Sequence, residues 1–110
     1  MPVLHADPLT QFADALFCAA GVPKPEAERV ARSLVDANLC GHDSHGVIRI
    51  VQYIDAIKDG RLKPGAPFLV VKETAAVLVV DGGWGLGQVQ AHRLLDRLVP
   101  RAQADRKSVV

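Results

Sequence analysis

The sequence predicts an α+β chain: a three-helix unit at the N-terminus, then a β-hairpin, then a further helix. Three observations carry this. Apolar residues recur at three- and four-residue intervals through three successive stretches ending near Lys58. Two β-branched runs, residues 68–72 and 76–80, follow with only Glu73-Thr74-Ala75 between them. Helical spacing then returns over residues 89–98, after a glycine-rich turn.

The first helix opens at Asp7-Pro8, a capping carboxylate followed by proline at the first helical position. Leu9, Phe12, Ala13, Leu16, Phe17 and Ala20 form its apolar stripe, and Gly21 with Pro23 ends it. The second begins near Pro25; Ala27, Val30, Ala31, Leu34, Val35 and Asn38-Leu39 make its inner face, and Gly41 closes it. The third starts at Asp43 or Ser44 and runs to about Lys58, with Gly60 as its stop and Val47, Ile50, Val51, Ile54 and Ile57 turned inward. Glycine, proline and basic residues from Gly60 to Pro67 mark a loop. Pro100 is expected to stop the fourth helix, leaving residues 101–110 frayed.

With 110 residues, 49% hydrophobic and 23% charged, the chain has the balance of one globular domain at most. A net charge of +1 with singly scattered basic residues excludes the footprint of a nucleic-acid binder or a membrane-surface helix. No apolar run is long enough to span a bilayer, and residues 1–7 carry no secretory signal, so a cytoplasmic location is expected. Cys18 and Cys40 lack C-x-x-C spacing and read as small buried hydrophobes without a disulfide. His5 and His92 are isolated and read as surface residues.

The chemistry concentrates in Asp43-Ser44-His45-Gly46-Val47-Ile48-Arg49. On a continuous helix, His45 and Arg49 lie within about 40° of each other and nearly opposite Val47, at roughly 100° per residue. Ser44 then occupies the N-cap, at the positive helix end that favours anions. The plain alternative is a capping serine, a solvated histidine and an arginine paired with a neighbour such as Asp55. Three polar groups sharing one exposed face favour a site: a proton donor beside a carboxylate clamp suits a 2-oxo acid. His42, Asp43 and His45 straddle the helix boundary and make a poor metal site. Gly82, Gly83, Gly85 and Gly87 give G-x-G-x-G without the G-x-G-x-x-G register, so they read as a tight turn, with Trp84 a packing or interface anchor.

Gly41-His42-Asp43-Ser44-His45-Gly46-Val47, together with Arg49, Tyr53, Gly60, Pro64, Glu73-Thr74 and Asp81-Gly82 before Gly85-Leu86-Gly87, resembles the N-terminal region of the malate/L-lactate dehydrogenase-like oxidoreductases. That non-Rossmann family includes ureidoglycolate and sulfolactate dehydrogenases and piperideine- and pyrroline-2-carboxylate reductases. The likeness covers residues 7–98. It implies that Ser44 orients or relays a proton to His45, that His45 is the proton donor, and that Arg49 binds the substrate carboxylate. It also implies a small 2-hydroxy or 2-oxo acid (or cyclic imine) as substrate, NAD or NADP as cofactor, and a homodimeric full-length parent. Family members are much longer. Residues 1–110 are therefore expected to be the helical, substrate-side portion of a larger α/β oxidoreductase, without its cofactor-binding domain and inactive alone. The competing expectation is a non-catalytic small helical interaction module or a degenerate gene product.

Overall fold

The computed structural model describes residues 3–104. Its order is α1 (Ala6–Ala19), α2 (Lys24–Leu39), two 3₁₀ turns (Asp43–His45 and Val47–Arg49), α3 (Ile50–Lys58), β1 (Leu69–Glu73), β2 (Leu78–Asp81) and α4 (Gly87–Ala104). The α+β architecture is the expected one: helices, a two-stranded antiparallel ribbon and a final helix.

Glycine stops the helices where the sequence placed the stops. Gly41 takes φ +82°, and the His42 N–H then reaches back to Ala37 O at 2.8 Å while the Gly41 N–H bonds Asn38 O at 3.0 Å. This is the left-handed closure that satisfies orphan carbonyls at a helix end. Helices α1 and α3 close in the same way at Gly21 and Gly60. The start of α1 differs from expectation. His5 is its N-cap, without a side-chain bond, so Asp7 sits in the first turn and does not cap it. Asp7 still favours the positive end of the helix from there.

The core lies between α1 and α2 and is sealed by α3 and α4. Phe17, Val30, Leu34 and Leu86 are its largest fully buried side chains, joined by Ile50 and Val89. Three residues of the expected stripes lie outside it: Phe12 is 61% exposed, and Leu39 and Val51 are each 68% exposed. Val51 lies beside the Ile50, Ile54 and Ile57 stripe, which keeps its contact with the core. Cys40 is exposed rather than buried, and Cys18 is half-buried; both are free thiols.

Two buried carboxylates are satisfied by partners. Asp14 pairs with Lys24 and accepts a bond from the Cys18 thiol at 3.5 Å. Burial and this carboxylate push the Cys18 thiol above its ordinary range, so it stays protonated. Glu26 accepts the Gly65 N–H at 3.2 Å and faces Arg93 at 3.8 Å, tying the loop after α3 to the core.

The ribbon is bulged at Val71: Val70 pairs with Val80, but Lys72 pairs with Val79. Its strands begin and end one or two residues later than predicted, because Thr74 makes the turn, bonding Val77 O through its N–H and accepting from the Ala76 and Val77 amides. Every residue of β1 is exposed.

Helix α4 runs through Pro100 to Ala104, where a stop was expected. Glu73 holds those turns down. It pairs with Arg97 and Arg101, each at 3.1 Å, and Arg101 also reaches Thr74 O. The hydrogen bond from Arg97 first, then the nearby guanidinium charges, keep the Glu73 carboxyl below the usual carboxylate range. Residues 105–110, also expected to fray, lie outside the described residues.

The glycine-rich segment is a turn, as read. Gly83 and Trp84 both take φ +61°, and the Gly85 N–H bonds Gly82 O at 3.0 Å. Positive φ at both central positions is the type I′ signature, and a tryptophan there is strained. Trp84 is 77% exposed, so it anchors no packing within the described residues. Trp84→Gly is expected to raise stability by about 1 kcal/mol through relief of the left-handed strain. A higher urea midpoint at unchanged slope checks this; a lower midpoint contradicts it.

Candidate functional site

The segment 43–49 is not one helix, and the reason is local. The Val47 N–H would bond Asp43 O in an α-helix. Instead it bonds Asn38 Oδ1 at 2.9 Å, and Asp43 O accepts the Gly46 N–H at 3.1 Å. Gly46 is extended (φ −94°, ψ −151°) and separates the two 3₁₀ turns. The expected N-cap at Ser44 and its helix-end field are therefore absent; the α-helix begins only at Ile50. His45 and Arg49 belong to different turns.

The three polar groups nevertheless meet. Ser44 Oγ lies 3.0 Å from His45 Nδ1. Arg49 folds back, its Nε donating to Ser44 O at 2.7 Å and its Nη1 to Gln52 Oε1 at 2.7 Å. Asp55 is not its partner, and among the described residues no carboxylate pairs with Arg49. Ser44 and His45 are exposed and Arg49 is half-buried. Backbone bonds from His45 N to His42 O (2.9 Å) and from Arg49 N to Gly46 O (3.0 Å) close the two turns.

With Nδ1 engaged by Ser44, the His45 ring leaves Nε2 without a protein partner among the described residues. An imidazole fixed through one nitrogen can exchange a proton through the other. A guanidinium held through Nε and one terminal nitrogen can bind a carboxylate through its remaining N–H groups. A shallow hollow of about 480 Å³ adjoins His45, lined by Ser33, Asp36, Ala37, Cys40 and His42. A hollow of about 520 Å³, between Pro25, Arg32 and His92, touches none of Ser44, His45 and Arg49.

The His42 and His45 rings are perpendicular, 6.3 Å apart, and among the described residues no three His, Cys, Asp or Glu side chains converge as metal ligands. His5 and His92 are exposed, as read from their isolation. No helix among the described residues is long and apolar enough to cross a membrane.

The glycine turn does not fit a dinucleotide. Gln90 fills its concave side, donating to Gly82 O at 2.8 Å and to Ala66 O at 3.2 Å, and a Cβ at Gly85 would meet that amide at 2.8 Å.

Sequence reasoning missed the roles of Asn38, which ties the two turns together, and Gln52, which holds the Arg49 guanidinium. Asn38 had a signal: an amide on the apolar stripe of a helix, one turn before its stop, must find partners when half-buried.

Comparison with known proteins agrees with the fold. The sequence model described as malate/L-lactate dehydrogenase matches residues 4–110. L-sulfolactate dehydrogenase of Methanocaldococcus jannaschii is 41% identical over 83 residues, covering 76% of this chain and 24% of that protein. Hydroxycarboxylate dehydrogenase B of Escherichia coli K12 is 39% identical over 90 residues, covering 82% of this chain and 25% of that protein. The structure of malate dehydrogenase from Pyrococcus horikoshii OT3 superposes with a TM-score of 0.88 at 34% identity, over 92% of this chain and 29% of that one. The chain thus spans about a quarter of the length of the curated relatives it matches.

Proposed function

The chain belongs to the malate/L-lactate dehydrogenase family, and on that premise we propose that it supplies the acid–base and carboxylate-binding share of an oxidoreductase. The reaction is oxidation of the CH–OH group of a small, malate- or lactate-like 2-hydroxy acid, or reduction of the matching 2-oxo acid or cyclic imine. One observation carries the reading: Ser44 Oγ on His45 Nδ1 at 3.0 Å, with the Arg49 guanidinium drawn onto the Ser44 carbonyl at 2.7 Å. The site then offers an imidazole and a guanidinium from two successive turns.

In this proposal His45 Nε2 gives a proton to the substrate oxygen or imine nitrogen during reduction and takes it back during oxidation. Ser44 Oγ holds the ring and fixes which nitrogen faces the substrate. Arg49 binds the carboxylate, setting the distance from imidazole to C2. A nicotinamide, NAD or NADP, belongs to the whole protein; one similar protein is named as NADP(+)-dependent. When bound it would exchange a hydride with C2, while His45 handles the proton and Arg49 the carboxylate. A homodimeric parent is part of the same proposal.

Pyruvate titrated into the 110-residue chain is expected to move the His45 imidazole and Arg49 guanidinium NMR resonances. Arg49→Ala is expected to weaken that response at least about tenfold, as loss of a charge-assisted pair does. The unaltered chain with NADH or NADPH is expected to reduce neither pyruvate nor oxaloacetate. A pyruvate response that survives Arg49→Ala sinks the assignment of Arg49, and no response at all favours a non-catalytic interaction module.

A further inference from the structure

We infer that Asn38, at the end of α2, is the positioning residue that sets imidazole against guanidinium in this site. The inference rests on the acid–base reading of Ser44, His45 and Arg49 given above.

Asn38 is half-buried and bonded on both sides of its carboxamide. Oδ1 accepts the Val47 N–H at 2.9 Å, the first residue of the second 3₁₀ turn. Nδ2 donates to Asp43 Oδ1 at 2.8 Å, the first residue of the first turn. One planar group therefore spans both turns, and Gly46 between them leaves it room. A Cβ at Gly46 would fall on the carboxamide, 2.5 Å from Nδ2 and closer still to Cγ and Oδ1. His45 rides on one turn and Arg49 on the other, so their spacing follows from how this amide holds the two together.

The chemistry requires an amide. The Val47 N–H can only donate and an ionised Asp43 can only accept, so the group between them must accept on one side and donate on the other. Turning the carboxamide over would set donor against donor and oxygen against carboxylate, which fixes its orientation. Aspartate at position 38 keeps the first bond and replaces the second with a repulsion between carboxylates. Reversing the polarity of the pair mends this. With Asn38→Asp and Asp43→Asn together, the new carboxylate accepts from Val47 and from the new amide.

The test compares Asn38→Asp with the double variant Asn38→Asp/Asp43→Asn in the 110-residue chain. It reads the Val47 amide, the His45 imidazole nitrogen resonances and the pyruvate affinity. Asn38→Asp is expected to move the Val47 and His45 signals and weaken pyruvate binding about tenfold. The double variant should return the signals and bring affinity to within about threefold of the parent. Urea midpoints read on the same variants show that each is folded under the conditions of the titration, which separates positioning from folding. Should Asn38→Asp not fold, Asn38→Ala removes both bonds without adding a charge and is read by the same signals.

Unmoved His45 and Val47 resonances with unchanged pyruvate affinity overturn the inference and leave the functional reading standing. A variant that moves them but is not mended by the swap also overturns it. If pyruvate leaves the parent chain silent, the functional reading falls; the positioning role is then decided by whether His45 moves in Asn38→Asp and returns in the double variant.

Discussion

Gly46→Ala is expected to destabilise the chain by about 3 kcal/mol or more and to abolish its response to pyruvate. The added methyl has nowhere to go. It coincides with the Asn38 carboxamide, which is held from two sides. Overpacking of this kind costs about 1–3 kcal/mol, and displacing the amide forfeits two hydrogen bonds at about 0.5–1.5 kcal/mol each. Backbone conformation is not the cause, because φ at Gly46 is an ordinary −94°. The cause is therefore testable by a double-mutant cycle in urea. Removing the obstructing amide with Asn38→Ala should make Gly46→Ala/Asn38→Ala more stable than Gly46→Ala alone. Additive losses would show that the methyl collides with something else.

Phe17→Ala is expected to cost about 3–5 kcal/mol, the usual range for removing a fully enclosed phenylalanine. Phe17 is completely buried, and its ring centre lies 6.4 Å from that of Tyr53 on α3. Tyr53 in turn accepts a bond from Gln88 on α4 at 3.1 Å, so the phenyl ring supports the contact among three helices. Only Ile50 of α3 is buried, with Tyr53, Ile54 and Ile57 half-buried against the core. A fall in the thermal midpoint on the order of 15 °C or more is expected. Phe12→Ala, on the same helix but largely exposed, should shift stability by no more than about 0.5 kcal/mol. Equal losses for the two would contradict the burial pattern.

Much of this architecture was legible because its causes are local. Glycines at 21, 41 and 60 end helices by taking left-handed backbone, and β-branched runs around a short polar segment give the ribbon. How Ser44, His45 and Arg49 are held relative to one another was not legible. Spacing on a continuous helix was expected to bring them together. The structure does it with a carbonyl that Arg49 reaches across a broken helix. That break comes from Asn38, nine residues before the amide it captures, and periodicity has no access to such a bond. Helix α4 passes Pro100 for a similar reason. Proline removes one N–H, but Glu73, distant in sequence, holds the turns on either side of it. Local preference gave way to a tertiary anchor in both places.

The ribbon's dependence on Glu73 has a consequence of its own. Two strands without a third are barely stable in water, and these bury almost nothing. What keeps them is a carboxylate gripped by two arginines, all within reach of solvent ions that screen over about 10 Å at 0.1 M. Dissolved electrolyte therefore acts as a dial on this part of the molecule. As it rises, the strands and the last turns of α4 loosen together as one opening unit, while the turn that carries His45, braced by an amide rather than by charge pairs, keeps its shape.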